Sequence, residues 1–437
     1  MFEYIKLRNF KSFGDVTFDL RDKNGKAKKL ILIYGENGIG KSNLASAFYM
    51  LSETLRTMDV REILENILEN KPDTLSNEHF LSFFKNNFKD IETLIKENKM
   101  VTSEGNLYME FGFSLNGKSG KYILEMSNEE IVYEYLEYIL LKNRGICFEI
   151  TKDKKFMSEK VFNNRELIDD LQILLNKFWG KHSFLAIIEH DISDKSQEYY
   201  KSKISKNFMN VMSFLHNISC DVKIGNKQER GVLGLPDNYL RDYDKGNIDL
   251  KDEEKLNKTE KMINLFLTTI YRDIELAYYN REYRDNNIQY NLFVRKRIYG
   301  ELRDIDFELE STGTQSVLQL LPYMLITVEG STSIIDEFDT GIHDLLVKNI
   351  ITSLYDYIEG QLIMTTHNTL LMESGIPKES IYVINEIDNS NKEIKCILKY
   401  DNKIHVNTNI RNQYIHGKYN AIPENVKIDF GELIRII

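Results

Sequence analysis

One glycine-rich stretch carries the residues that phosphate binding requires. Gly35–Ser42, with the sequence GENGIGKS, matches the pattern GxxxxGK[ST]. Glycines let the backbone wrap closely around a phosphate chain, and the N terminus of a following helix adds partial positive charge. Lys41 is expected to reach the β- and γ-phosphates of a nucleotide, and Ser42 to bind Mg²⁺. The residues expected to contact the nucleotide here are Asn37, Gly38, Gly40, Lys41, Ser42 and Asn43.

Two adjacent carboxylates follow a short apolar run later in the chain. Residues 333–335 lead into Asp336 and Glu337. Mg²⁺ prefers one or two carboxylates together with water and phosphate oxygens, so Asp336 is expected to join Ser42 as a metal ligand. Glu337 is expected to polarise the water that attacks the γ-phosphate.

A third apolar run, Gln361–Thr365, is soon followed by His367. The number of residues between Asp336 and His367 leaves room for one helix between two neighbouring parallel strands. The carboxyl ends of such strands meet at one edge of a sheet, where ligands bind. His367 is therefore expected to hydrogen-bond the γ-phosphate, and it completes a predicted catalytic set with Glu337 and Lys41.

Small and hydroxyl residues precede a fourth apolar segment. The run from Ser311 to Gln315 stands before the apolar stretch 317–326, in which Pro322 is expected to cause a kink. A helix that starts with such residues can bind an anion through its free N–H groups. The candidate phosphate contacts in this run are Ser311, Gly313, Thr314 and Gln315.

The pattern around these motifs predicts an α/β fold with a mostly parallel sheet. Residues 2–8 and 15–20 are expected to form a hairpin, and the shorter runs in 106–150 an antiparallel β lobe. The predicted organisation has a core that is formed by two separated segments, and three insertions. The core comprises 1–50 and 290–437, and the insertions are a helical segment 51–105, a β-rich lobe with helices 106–195 and a helical segment 196–289. The last segment is either a mobile surface insertion or an arm that docks a partner.

Composition limits the classes of function. The 437 residues carry a formal net charge of −10, which argues against a general nucleic-acid binder. A local basic groove stays open, and with it nucleic acid as a partner. Charges at Glu3, Lys6 and Arg8 break any signal-peptide core, and no apolar run is long enough to span a membrane. We therefore expect a cytoplasmic protein without a membrane partner.

Together these motifs resemble the ABC-type ATPase head that the SMC, RecF and OLD-like proteins share. Gly35–Ser42 matches their Walker A motif, and Ile334–Glu337 their Walker B motif. Ser311–Gln315 stands in the place of the signature motif, and His367 matches the switch histidine. The opening segment Ile5–Phe13 is similar to their first strand.

A narrower resemblance is to the compact AAA-type ATP-binding proteins of phage-defence loci, of the RloA, AbiL and PtuA kind. Four strings carry it: Glu310–Gln315, Asp336–His343, Thr365–Asn368 and Gly417–Pro423. The signature differs from the LSGGQ of transporters, so transport is not implied. The glutamine of the usual Q-loop has no clear place in this sequence.

The resemblance implies ATP and Mg²⁺ as cofactors and hydrolysis of ATP to ADP and phosphate. It also implies a homodimer or higher homo-oligomer, in which Ser311 and Gly313 of one subunit contact the γ-phosphate that the other subunit holds. The first hypothesis is an ATP-dependent sensor or clamp in phage defence that controls a separate effector, a nuclease or toxin. The alternative is a DNA-repair ATPase of the RecF type that binds duplex DNA. A third hypothesis is a scaffold that binds ATP without turnover.

Overall fold

The computed structural model describes most of the chain in one α/β arrangement. The described residues are 1–59, 61, 89–195, 200, 202–225, 227–235, 239–388, 391–400, 408–422 and 428–436. About half of the predicted helical segment 51–105, and Pro423 of the last resemblance string, lie outside these residues. No helix within the described ranges is long and apolar enough to cross a membrane.

The strands in chain order are β1 (Phe2–Phe10), β2 (Phe13–Asp19), β3 (Leu30–Tyr34), β4 (Leu107–Leu115), β5 (Lys118–Met126), β6 (Ile131–Ile139), β7 (Arg144–Thr151), β8 (Lys155–Met157), β9 (Ile218–Ile224), β10 (Lys227–Gly231), β11 (Lys245–Asp249), β12 (Ile274–Arg284), β13 (Asn287–Ile298), β14 (Glu301–Asp306), β15 (Thr332–Ile335), β16 (Gln361–Thr365), β17 (Ile381–Asp388) and β18 (Asn391–Cys396). The helices are α1 (Lys41–Thr54), α2 (Ile91–Asn98), α3 (Arg165–Phe178), α4 (Phe184–Lys195), α5 (Lys206–His216), α6 (Glu253–Ile270), α7 (Thr312–Val328), α8 (Asp344–Tyr355), α9 (Ile410–Ile415) and α10 (Phe430–Ile436).

The central sheet is mostly parallel and has the strand order β10-β9-β15-β16-β3-β17-β18. Its five inner strands run parallel, and β10 and β18 are antiparallel edge strands. Every residue of β3, β15 and β16 is buried. Continuous apolar runs are typical of parallel strands that are covered on both faces.

Two hydrophobic cores cover the two faces of this sheet. Alternate residues of β3 point to opposite sides: Ile31 and Ile33 pack in the core that contains α1, and Leu30 and Leu32 in the core that contains α7 and α8. Pro322 lies inside α7, as expected. The sheet therefore presents its strand ends between two helical layers.

A second sheet, with the order β2-β1-β4-β5-β6-β7-β8, is antiparallel throughout. It contains the predicted hairpin, in which Tyr4 pairs with Asp19. The predicted α/β fold, with a mostly parallel sheet, an antiparallel β lobe and inserted helices, is thus confirmed.

Residues 196–289 contain strands as well as the predicted helices. Within the described part of this segment, α5 and α6 alternate with β9 to β12 and the start of β13. The strand β9 belongs to the central sheet, where it pairs in parallel with β15. The strands β11 to β14 form a smaller antiparallel sheet beside α6.

Candidate functional site

Three neighbouring strands of the central sheet end side by side. The strand β3 leads into Gly35, β15 into Asp336 and β16 into Thr366. The N–H of Thr366 donates to the carbonyl of Ile33 at 3.2 Å, and the N–H of Phe338 to that of Thr365 at 3.1 Å. The three loops that follow these strands are therefore held together at one edge of the sheet.

The glycine-rich loop between β3 and α1 has backbone angles that favour glycine. Gly38 and Gly40 have φ values of 78° and 117°, in the left-handed region. A side chain at Gly40 would also lie 3.1 Å from both the Phe13 ring and the Ser12 hydroxyl. Asn43 donates its amide N–H to Ser12 at 2.8 Å, so its side chain faces the β1–β2 turn.

Lys41 is folded back over this loop. Its Nζ donates to the carbonyls of Gly35 and Glu36, each at 2.9 Å. Burial lowers the pKa of Lys41, and the carboxylates of Asp336, Glu337 and Asp339 act in the opposite direction. The lysine thus stands in the electrostatic field of the acids at the end of β15.

Asp336 is buried beside Ser42 and offers an unused oxygen. Its Oδ1 accepts a hydrogen bond from Thr365 Oγ1 at 2.6 Å. Its Oδ2 is buried and has no hydrogen-bond partner among the residues that the structure describes. Burial raises the pKa of Asp336, and the nearby hydroxyls of Thr365 and Ser42 oppose that shift. A free carboxylate oxygen next to a hydroxyl fits the ligand set of Mg²⁺.

Glu337 follows directly and has an unusual backbone conformation. Its φ of 53° lies in the left-handed region, which a residue other than glycine adopts at a cost and most often near functional sites. Its N–H donates to Thr365 Oγ1 at 2.7 Å. On the other side, its Oε2 lies 3.7 Å from Nζ of Lys223 in β9.

His367 lies two residues after the end of β16, with its side chain partly exposed. Its backbone N–H donates to Asp339 Oδ2 at 3.1 Å. Partial burial of the ring, and then the Lys41 ammonium, lower the pKa of His367, while Asp339, Glu337 and Asp336 act in the opposite direction. A lowered pKa favours the neutral form of the ring, which has one N–H to donate.

The segment 311–315 forms the start of α7 and packs on the loop that follows β15. Ser311 is exposed and caps the helix by accepting the N–H of Thr314 at 3.2 Å. Gly313 packs so closely on Gly341 that a side chain there would lie 2.7 Å from the Gly341 carbonyl oxygen. Gln315 donates to carbonyls within 307–310, the shortest bond being 2.8 Å to Glu308. Within the described residues, no hydrogen bond joins 311–315 to the glycine-rich loop.

The structure thus brings five predicted residues together, and within the described residues the set 311–315 has no hydrogen bond to them. Those at the shared edge are Lys41, Ser42, Asp336, Glu337 and His367. Thr365 and Lys223, which contact the two carboxylates, are not among the site residues predicted from the sequence. For Thr365 the sequence does contain a signal, the run Thr365-Thr366-His367. Hydroxyl residues at the end of one strand face the end of the neighbouring strand. No local pattern marks Lys223.

Comparisons with known proteins place this chain in one family. A family model described as "AAA domain, putative AbiEii toxin, Type IV TA system" matches residues 30–373. No curated protein matches the chain in sequence.

Among solved structures, the SMC head domain from Thermotoga maritima is 14% identical to this chain, with a TM-score of 0.39. The match covers 91% of this chain and 98% of that one. An SMC head bound to the C-terminal winged-helix domain of ScpA is 14% identical with a TM-score of 0.42, covering 90% of this chain and 96% of that one.

Proposed function

Because the chain belongs to the family of AAA domains described as putative AbiEii toxins of type IV toxin–antitoxin systems, we propose that it binds and hydrolyses ATP with Mg²⁺. One observation carries this proposal. The glycine-rich loop, the paired carboxylates and the histidine lie at the ends of three adjacent parallel strands. This is the edge at which parallel α/β sheets bind ligands.

Each group at this edge has a proposed task. The loop N–H groups and Lys41 hold the β- and γ-phosphates. To reach them, Lys41 gives up its hydrogen bonds to the carbonyls of Gly35 and Glu36. Ser42 and the free oxygen of Asp336 hold Mg²⁺, which neutralises charge on the phosphate oxygens. His367 donates its ring N–H to the γ-phosphate.

Glu337 is the proposed general base. The water oxygen bonds to the γ-phosphorus, the bond from that phosphorus to the β–γ bridging oxygen breaks, and Glu337 accepts the water proton while ADP leaves. Its side chain is one-third exposed, at 34%, so water can reach it without rearrangement of the fold.

The second half of the site is proposed to come from another copy of the chain. The exposed N terminus of α7 has free N–H groups and a partial positive charge, which favour a phosphate. Ser311 and Gly313 are the proposed contacts across the dimer. Thr314, also predicted as a contact, is buried with its N–H and hydroxyl bonded to Ser311, so we assign it to the helix cap. The Gln315 amide already donates hydrogen bonds to carbonyls of the turn 307–310, so we propose that Gln315 stabilises this turn and does not contact the phosphate.

The dimer is proposed to act as an ATP-dependent clamp that controls a separate effector. The family description names a toxin–antitoxin system, and the narrower sequence resemblance points to phage defence. In this proposal ATP binding closes the dimer, hydrolysis opens it, and the effector, a nuclease or toxin, responds to the closed form.

Glu337→Gln is the direct test. The variant should bind ATP, hydrolyse it about 100-fold more slowly or worse, and stay dimeric with MgATP. The wild type should return to monomers as ATP is consumed. Phosphate release and light-scattering mass measure the two effects, and Lys41→Ala, which should remain monomeric, is the control. If Glu337→Gln neither dimerises with ATP nor slows hydrolysis, the assigned roles are wrong.

A further inference from the structure

Lys223 stands on the strand that borders the two site carboxylates. The parallel register pairs Ile335 of β15 with Asp221 of β9. Continued by two residues along each strand, this register brings Lys223 level with Glu337. The ammonium of Lys223 lies 3.7 Å from Glu337 Oε2.

The ammonium of Lys223 pairs with Glu337, while the neighbouring Asp221 pairs with Arg230. Asp221, the acid on β9, already accepts hydrogen bonds from Arg230 Nε at 3.3 Å and from the Gln228 amide. These groups line a polar cavity of about 120 Å³ that reaches from β9 and β10 to Glu337. The cavity gives water a place beside the carboxylate.

Glu337 is therefore held from both neighbouring strands. On the β16 side, Thr365 Oγ1 accepts its backbone N–H at 2.7 Å. On the β9 side, Lys223 contacts its carboxylate. Thr340, three residues after Glu337, donates a weak hydrogen bond to the same carboxylate at 3.4 Å. The backbone contact fixes where the residue turns, and the lysine limits the direction in which its carboxylate points.

We propose that Lys223 is a positioning residue, whose ammonium holds the Glu337 carboxylate in the orientation from which it accepts the proton of the attacking water. The inference rests on the proposed ATPase function. Exposed ion pairs contribute little to stability, and these two side chains are 49% and 34% exposed. The contact is thus better suited to orient a reacting group than to stabilise the fold.

Lys223→Met tests this role, with Lys223→Arg as the conservative variant. We expect the Met variant to lower kcat for ATP roughly 10- to 100-fold while KM stays within about twofold of the wild type. The Arg variant should recover most of the lost rate. The dissociation constant for a fluorescent ATP analogue, measured without turnover, should be unchanged. Lys227→Met, which removes a charge from the adjacent strand β10, should behave as the wild type.

A double-mutant cycle separates action through Glu337 from a general effect. In the Glu337→Gln background, Lys223→Met should not slow single-turnover hydrolysis further. Melting temperatures establish that each variant is folded, and Lys223→Gln replaces the Met variant should that protein fail to fold.

Three outcomes would overturn the role of Lys223. They are a kcat for Lys223→Met at or above the wild-type value, an additive loss in the double mutant, and no recovery with Arg. If Glu337→Gln stops hydrolysis while Lys223→Met leaves it intact, only this inference falls. If the wild-type protein shows no Mg²⁺-dependent hydrolysis, the proposed function falls as well.

Discussion

At the scale of single residues, one hydroxyl group connects the two site carboxylates. Thr365 Oγ1 donates to Asp336 Oδ1 at 2.6 Å and accepts the N–H of Glu337 at 2.7 Å. The donated bond leaves Asp336 Oδ2 as the oxygen that remains for a metal ion. The accepted bond fixes the left-handed turn from which Glu337 projects. A single side chain thereby sets the positions of the proposed metal ligand and the proposed base.

Thr365→Val removes this hydroxyl and keeps the shape of the side chain. The N–H of Glu337 would lose its partner, which costs about 1–3 kcal/mol for a buried group. We expect kcat to fall roughly 10- to 100-fold and the Mg²⁺ concentration for half-maximal rate to rise. A Mg²⁺ titration of ATP hydrolysis measures both. Thr365→Ser retains the hydroxyl and should stay near the wild type; equal losses in the two variants would contradict this account.

The sequence predicted the main site residues because their place at the sheet edge requires only that each of them follows the end of a parallel strand. Lys41, Asp336 and His367 each come directly or closely after a short apolar run, and parallel strands deliver such residues to one edge. Thr365 and Lys223 lie on the two strands that flank β15, and their side chains contact the residues at the end of β15. Their roles depend on which strands are adjacent and in what register, which residue spacing does not specify.

At the scale of elements, β3, β15 and β16 were predictable and β9 was not. The first three are continuous apolar runs that end in polar residues. The strand β9, with the sequence ISCDVKI, alternates apolar and polar residues and begins almost directly after α5. Such a pattern is typical of a half-exposed strand. Only its long-range pairing with β15 makes it part of the central sheet.

One buried carboxylate, that of Glu134, connects the antiparallel sheet to the helices that follow it. Glu134 in β6 is fully buried and accepts hydrogen bonds from Tyr122 Oη at 2.8 Å and Trp179 Nε1 at 3.1 Å. It also accepts the N–H groups of Phe184 and Leu185 at the start of α4, at 2.6 and 3.4 Å. Burial raises the pKa of Glu134 to about 7, against the effect of these donors.

This shift predicts a pH-dependent stability that Glu134→Gln should abolish. A carboxyl whose pKa is raised on folding stabilises the protein most below its unfolded pKa, and this contribution is lost as pH rises through about 7. We expect the wild type and the Gln variant to have similar free energies of unfolding near pH 5. By pH 8 the wild type should have lost up to about 3 kcal/mol relative to the variant. Denaturant unfolding at both pH values measures this, and a constant difference between the proteins would show that Glu134 does not titrate in this range.

At the scale of the whole molecule, the proposed site is divided between copies. The Walker-type residues lie at the carboxyl edge of the central sheet, and the exposed helix start at Ser311 makes no hydrogen bond to the glycine-rich loop within the described part of the same chain. A symmetric dimer that closes over ATP would contain two identical composite sites, each with the glycine-rich loop of one copy and the α7 start of the other. Two variants that are defective in different halves should therefore complement each other.

Mixing Lys41→Ala with Gly313→Ala tests this division of labour. Lys41→Ala disables the loop half, and Gly313→Ala disables the α7 half because its side chain would collide with the Gly341 carbonyl at 2.7 Å. Each variant alone should be nearly inactive. In the mixture, a dimer of unlike copies regains one complete site, which consists of the intact loop of Gly313→Ala and the intact α7 start of Lys41→Ala, so a part of wild-type ATP hydrolysis, at most about half, should return.

The control replaces Gly313→Ala by the double variant Lys41→Ala/Gly313→Ala. Mixed with Lys41→Ala, this protein supplies no intact loop to any dimer, so no activity should return. Recovery in the first mixture and its absence in the second can arise only if loop and helix start act across the copies. If neither mixture recovers while Gly313→Ala alone retains activity, each chain hydrolyses ATP by itself. The exposed start of α7 would then serve an interaction other than the nucleotide.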